Sequence, residues 1–129
     1  MKGLFTAFFL ILGVPMNDPP TADAVIIEIA RVTEIRNYTK PQRDPQAAWP
    51  DRYKEHATFS VLDAAPCEGQ VFICDTANDC DAIYEYFNAL KLSDGSYLYK
   101  SKSGYAVMQL DGGLAPEEAT KLGDTIARF

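Results

Sequence analysis

The feature that most restricts this chain is an apolar run near its N-terminus, which extends from Leu4 to Met16 with mild interruptions. The 13 residues of this run are too few for a membrane-spanning helix, which needs about 20. They match the hydrophobic region of a secretory signal peptide, and the small residues Ala22 and Ala24 have the spacing that signal peptidase recognises. We therefore expect residues 1–24 to be a cleaved signal peptide.

Removal of this segment would leave a single domain at residues 25–129, with 11 basic and 16 acidic side chains and a net charge of −5. A chain of this length supports one modest hydrophobic core. Its acidic balance argues against nucleic acid or an anionic membrane surface as the main partner. Cleavage would leave no stable membrane anchor. The alternatives to a cleaved signal peptide are an uncleaved membrane anchor and a buried N-terminal helix.

The first half of the mature chain is predicted to be rich in β-strands. Residues 25–36 open with alternating β-branched side chains, which favours a strand, although the Glu, Ala and Arg residues also suit a helix. Residues 37–56 hold three prolines and no apolar periodicity, so we expect a long loop. This loop is either a surface connection pinned by Trp49 and Tyr53 or a binding loop.

A hairpin and a mixed second half follow. Residues 57–63 and 70–74 are predicted to pair as a hairpin with Cys67 near its tip. A helix then carries an apolar stripe, and a second hairpin with a glycine turn spans 96–110. The last helix has a proline at its first position and one apolar face. The residues of the two stripes are Cys80, Ile83, Phe87 and Leu90, then Ala119, Leu122, Ile126 and Phe129.

The order of these elements predicts an α+β fold, with a mainly antiparallel sheet covered on one face by two helices. From residue 70 onward the order is βαββα, which is the order of ferredoxin-like folds. This similarity concerns the order of the elements alone, because the residues match no family motif.

Cysteine chemistry is limited to Cys67, Cys74 and Cys80. An exported protein is expected to form a disulfide. Cys74 ends a predicted strand and Cys80 opens the following helix, so these two are the predicted pair. Cys67 would then be a free thiol, buried or exposed, and an exposed one would allow a dimer through an intermolecular disulfide.

Other candidate sites have simpler structural explanations. The acidic residues at 75–81 lack the spacing of a calcium loop and suit helix capping, and no zinc pattern is present. His56, the sole histidine, is expected at a strand start or on the surface rather than as a general base. Asn37 opens a glycosylation sequon, and glycosylation there would depend on the secretory pathway. We expect no cofactor and no metal.

The tyrosines of the second hairpin, Tyr97, Tyr99 and Tyr105, are candidates for a binding surface together with Trp49 and Tyr53, because tyrosine is enriched at interfaces. Packing against the protein's own sheet is the alternative interpretation.

The leading functional hypothesis is a small secreted or periplasmic protein that binds a protein or envelope component without catalysis. A thiol-redox or other cysteine-dependent protein is one alternative. A pro-region-like inhibitor of a secreted hydrolase is the other.

Overall fold

The computed structural model describes residues 18–61 and 67–129, which form one five-stranded antiparallel sheet and three helices. The strand order is β1-β2-β3-β5-β4, so β3 and β4 are parallel to each other with β5 between them. The α+β class with a mainly antiparallel sheet is therefore confirmed. The elements are α1 (Ala22–Ala30), β1 (Ile35–Thr39), β2 (Glu55–Val61), β3 (Cys67–Ile73), α2 (Ala77–Asp94), β4 (Tyr97–Lys100), β5 (Ala106–Leu110) and α3 (Pro116–Ala127).

The helices lie on both faces of the sheet. α1 and α3 cover one face, where Ile29 and Leu122 pack with Phe59 of β2. α2 covers part of the opposite face, where Ile83 packs with Phe72 of β3. The two helices predicted from the sequence, α2 and α3, are thus on opposite faces, and the ferredoxin-like arrangement is not confirmed. The C-terminal end of β3 is apolar on both sides, with Val71 and Ile73 on one face and Phe72 on the other, so each face requires its own cover there.

The prediction of a strand at residues 25–36 is wrong, because α1 continues to Ala30 and β1 begins only at Ile35. The buried side chains of α1 follow helical spacing. Thr21 caps the helix, since its hydroxyl accepts a hydrogen bond from the Ala24 amide at 3.0 Å. Tertiary burial of this stripe, formed by Ala22, Val25, Ile26 and Ile29, outweighs the β-propensity of the branched residues.

The long loop is shorter than the predicted 37–56, because β1 extends to Thr39 and β2 begins at Glu55. Asn37 has a positive φ of 58°, and the pairing register shifts between Arg36 and Thr39, as in a β-bulge. The sequon asparagine therefore lies in an edge strand rather than in the loop.

The elements of the second half agree closely with the sequence pattern. Helix α2 begins after Thr76, whose hydroxyl accepts from the Asp79 amide at 3.2 Å. It ends at Gly95, which has the left-handed φ of 71° that glycine adopts readily. Of the predicted stripe, Cys80, Ile83 and Phe87 are buried, whereas Leu90 is 39 % exposed.

Gly123 in α3 has a packing role that the sequence did not reveal. A β-carbon at this position would lie 2.4 Å from a ring carbon of Tyr99. The glycine costs helix propensity, about 1 kcal/mol relative to alanine, but it lets α3 lie directly on the Tyr99 ring.

In residues 18–61 and 67–129, no helix is long and apolar enough to span a membrane. The apolar run at 4–16 lies outside the described residues.

The first turn of α1 is tied to the sheet by polar contacts. The Ala22 amide donates to the Glu55 carboxylate at 2.9 Å, and the Tyr38 hydroxyl donates to the Asp23 carboxylate at 2.5 Å. Lys40 Nζ lies 3.1 Å from the same Asp23 carboxylate. Cleavage after Ala24, as expected from the sequence, would remove all of these contacts and would therefore lower the stability of the fold.

We predict that a chain beginning at Val25 is less stable than one beginning at Asp18. The loss of the Thr21 cap and of the hydrogen bond to Glu55 would lower the free energy of unfolding by about 2 kcal/mol. Urea denaturation of the two chains measures this difference. Equal midpoints would show that the first turn of α1 contributes nothing to stability.

Candidate ligand pocket

A pocket of about 480 Å³ opens on the sheet face that α2 covers only in part. Its floor is a polar row across three strands, in which Thr58, Gln70 and Gln109 are register neighbours. The Gln70 side-chain amide donates to the Gln109 carbonyl at 2.6 Å, which fixes both side chains. We call this site the sheet pocket. Its lining is formed by Gly69, Gly112 and the following side chains: Trp49, Thr58, Glu68, Gln70, Asp94, Ser96, Gln109 and Asp111.

Three carboxylates line the sheet pocket, and the lining contains no Lys, Arg or His. Glu68 is on β3, and Asp111 directly follows the neighbouring strand β5, where the Asp111 amide donates to the Glu68 carbonyl at 2.8 Å. Asp94 is the last residue of α2. Within the described part of the chain, none of the three lies within 4.0 Å of a basic group. Like charges on adjacent strands oppose folding.

Local hydrogen bonds keep two of these carboxylates in place. The Ser96 amide donates to Asp94 at 2.9 Å, and this bond lowers the pKa of the Asp94 carboxyl below its ordinary value. The Gly113 amide donates to Asp111 at 2.8 Å. A carboxylate has lone pairs beyond the one used by a single amide, so both side chains can still accept a hydrogen bond from a ligand.

The Trp49 indole N–H lines this region, is shielded from solvent and has no hydrogen-bond partner among the residues described. The Ser96 hydroxyl is buried beside the Asp94 carboxylate and, together with the Ser96 amide, lowers the pKa of Asp94. An unpaired buried polar group costs about 1–3 kcal/mol. Such costs are expected at functional sites, where the protein keeps a group for something other than its own stability.

Trp49 is held by aromatic neighbours. Its ring lies 5.5 Å from the ring of His56, 5.6 Å from that of Phe72 and 6.0 Å from that of Phe87. These contacts pin the 40–54 connection against α2 and fix one wall of the sheet pocket.

His56 is buried at the start of β2, which agrees with the predicted strand start and not with a surface position. Its ring stacks on Phe72 with centroids 4.3 Å apart, and its Nε2 lies 2.8 Å from the side-chain oxygen Oε1 of Gln70. Burial lowers the pKa of His56, and the hydrogen bond with Gln70 opposes this only partly. In the sheet register Cys67 is opposite Val61, at the other end of β2 from His56.

Cys74 and Cys80 are joined by a disulfide with a Cα–Cα distance of 5.6 Å, which is the pairing expected from the sequence. Both residues are fully buried. This burial opposes thiol exchange, which needs access to a sulfur atom. The side chain of Cys67 lies outside the described part, and its role as a free or intermolecular thiol stays a prediction.

The five aromatic residues proposed for binding do not form one surface. Tyr53 is buried beneath Arg43, whose guanidinium lies 4.1 Å from the ring centre. Tyr97 and Tyr99 pack on the α1–α3 side, and the Tyr97 hydroxyl donates to the Leu114 carbonyl at 3.0 Å. The fifth, Tyr105, precedes β5 and is half-buried, so of the five only Trp49 lines the sheet pocket.

No group of three or more His, Cys, Asp or Glu residues is arranged to hold a metal ion in residues 18–61 and 67–129. Comparison of the chain with family models, with curated proteins and with solved structures gave no match. The site must therefore be interpreted from its own geometry.

Sequence reasoning missed the polar side chains of the sheet pocket. A signal was present, because Gln70 and Gln109 are isolated polar residues at the ends of apolar runs that pair in the sheet. Their neighbours Glu68, Asp94 and Asp111 looked like ordinary turn and helix-end residues.

We predict that His56 makes the protein less stable as the pH falls below about 6.5, the ordinary histidine pKa. Because the folded-state pKa is lowered, the unfolded chain binds a proton first, and the free energy of unfolding decreases until the folded-state pKa is passed. Chemical denaturation across this window measures the slope. His56→Gln should remove most of it, and an unchanged slope would contradict the assignment.

Proposed function

We propose that this chain is a small exported, non-catalytic binding protein, secreted or periplasmic, whose ligand site is the sheet pocket. The observation that carries the proposal is one pocket whose lining combines three carboxylates, no basic side chain and the polar row of Thr58, Gln70 and Gln109. These side chains have donor and acceptor positions that a bound ligand of matching chemistry would fill. The pocket volume falls in the range of about 300–1,000 Å³ that is usual for ligand sites.

The proposal of export rests on the apolar run at 4–16 and the small residues that follow it. The choice of binding over catalysis rests on the lining. Thr58, Gln70 and Gln109 supply hydrogen-bond donors and acceptors to the pocket. His56 stacks on Phe72 and is not part of the pocket lining. The buried sulfurs of Cys74 and Cys80 count against the thiol-redox alternative.

A bulky side chain at Thr58 should block the sheet pocket. Thr58 is half-buried in the pocket floor, and Tyr suits a β-strand, so Thr58→Tyr fills the space and removes only an exposed hydrogen bond between the Thr58 and Thr39 hydroxyls. We predict that wild-type protein recovered by native mass spectrometry from the exported fraction of its own cells retains a ligand or partner, and that T58Y loses it.

The matched control is Ser60→Tyr, on the same strand and the same face but outside the pocket lining. S60Y should retain the same species as the wild type. Equal retention by T58Y, or no species specific to the wild type, would contradict the proposed function, and recovery of the chain outside the exported fraction would contradict export.

A further inference from the structure

A directed chain of hydrogen bonds crosses the sheet from β2 through β3 to β5. His56 Nε2 lies 2.8 Å from Gln70 Oε1, and Gln70 Nε2 lies 2.6 Å from Gln109 Oε1. A side-chain amide has its donor and its acceptor on different atoms, so each link fixes the orientation of the next side chain. The chain therefore has only two possible directions, one running from His56 to Gln109 and one running back.

In the structure every donor points away from His56. Gln70 Oε1 can only accept, so His56 Nε2 carries the proton, and the Gln70 amide then donates to Gln109. Among the described residues the amide nitrogen of Gln109 has no acceptor, and Gln109 lines the sheet pocket. The chain therefore ends in an N–H donor at the pocket floor. In the reverse direction the same position would offer a carbonyl oxygen.

Charges beside His56 favour this direction. His56 lines a second cleft, of about 280 Å³, whose charged side chains are Lys40, Arg43, Lys54 and Glu55. Three of these four are basic, so the cleft favours a lone pair rather than an N–H group on the second ring nitrogen, Nδ1. Protonation of the ring would add an N–H group at Nδ1 and leave the Nε2–H group in place, so the chain has the same direction in both charge states.

Charges at the other end of the chain favour the same direction. The lining of the sheet pocket holds the carboxylates of Glu68, Asp94 and Asp111 and no basic side chain. Side-chain amide dipoles orient in the field of the protein, and negative charge attracts the N–H end of an amide. The field of the pocket therefore turns the N–H group of Gln109 toward the lining carboxylates.

We propose that His56 sets the hydrogen-bonding polarity of the sheet pocket: through Gln70 it holds the N–H group of Gln109 toward the pocket, which takes a ligand with an uncharged carbonyl oxygen at that point. This inference rests on the proposed function and names the class of ligand. A carbonyl oxygen only accepts, which matches the donor of Gln109. A carboxylate also accepts, but like charge in the lining disfavours it. His56 is a positioning residue, because it acts through Gln70.

Nuclear magnetic resonance of the full chain measures the direction of the chain without any substitution. At about pH 8 the histidine ring is neutral, and a long-range ¹H–¹⁵N spectrum assigns its proton to one nitrogen. We expect the proton on His56 Nε2 and a coupling through the hydrogen bond from Gln70 Nε2 to Gln109 Cδ. A proton on Nδ1, or a coupling from Gln109 Nε2 to Gln70 Cδ, would overturn the inference.

Gln70→Glu reverses the last link of the chain. A carboxylate only accepts, so this side chain would accept from both His56 and Gln109, and Gln109 would turn its carbonyl oxygen toward the pocket. The substitution also adds a charge to the lining. The matched control is therefore the double variant Q70E/E68Q, which has the wild-type number of carboxylates in the lining, together with Glu68→Gln alone.

The probe is N,N-dimethylacetamide, which is uncharged and has an acceptor but no N–H group, and acetate is the charged comparison. We expect dimethylacetamide to shift the Gln109 side-chain amide of the wild type and of E68Q saturably at about 100 mM, a concentration suited to so small a ligand. Its affinity should fall about tenfold in Q70E and in Q70E/E68Q, because an acceptor then faces an acceptor. Acetate should bind more weakly than dimethylacetamide.

Four results would overturn the inference. They are no saturable binding of dimethylacetamide to the wild type, equal affinity in Q70E, equal affinity of acetate, and a loss in Q70E that Q70E/E68Q restores, since charge rather than orientation would then decide binding. If T58Y still loses the retained species in any of these cases, the proposed function stands and only the ligand class is wrong.

Discussion

The disulfide between Cys74 and Cys80 fixes where α2 can lie. Cys74 directly follows β3 and Cys80 is in the first turn of α2, so the bond holds the start of the helix against the end of a central strand. From there α2 runs back over β4 and β5, with Ile83 and Phe87 in its buried stripe. A short loop closed by a disulfide stabilises by roughly 2 kcal/mol through loop entropy. The parts of β2, β3 and β5 that α2 leaves uncovered become the floor of the sheet pocket.

The two faces of the sheet therefore differ in composition. The face under α1 and α3 carries the larger apolar cluster and supplies the main core. The other face is divided between an aromatic group, in which Phe72 contacts His56 and Trp49, and the polar sheet pocket. The aromatic group holds Trp49 as one wall of the pocket. Among the described residues no basic nitrogen lies within 4.0 Å of the three carboxylates on this face.

The sequence predicts an element correctly where its apolar residues fit only one period, that of a helix or that of a strand. Helices α2 and α3 have clean apolar stripes, and Gly104 supports the second hairpin with a φ of 85°. Residues 25–36 fit both a helical and a strand period, and only packing on the α1–α3 core decides between them. The sheet pocket is beyond such reasoning, because Trp49, Gln70, Asp94 and Asp111 come from four separate segments. Their meeting depends on the sheet register and on the path of α2, which local patterns do not contain.

The proposed ligand site is the sheet pocket, where Trp49 lies beside Gln70 and Gln109. Trp49 is the sole tryptophan, so its indole N–H gives a single resonance in a ¹⁵N-resolved NMR spectrum. We predict that the species retained by the wild-type protein, added back to the ligand-free full chain, moves this resonance together with the side-chain amides of Gln70 and Gln109, with one shared binding constant. Unchanged resonances at these three positions, while others shift, would contradict the claim.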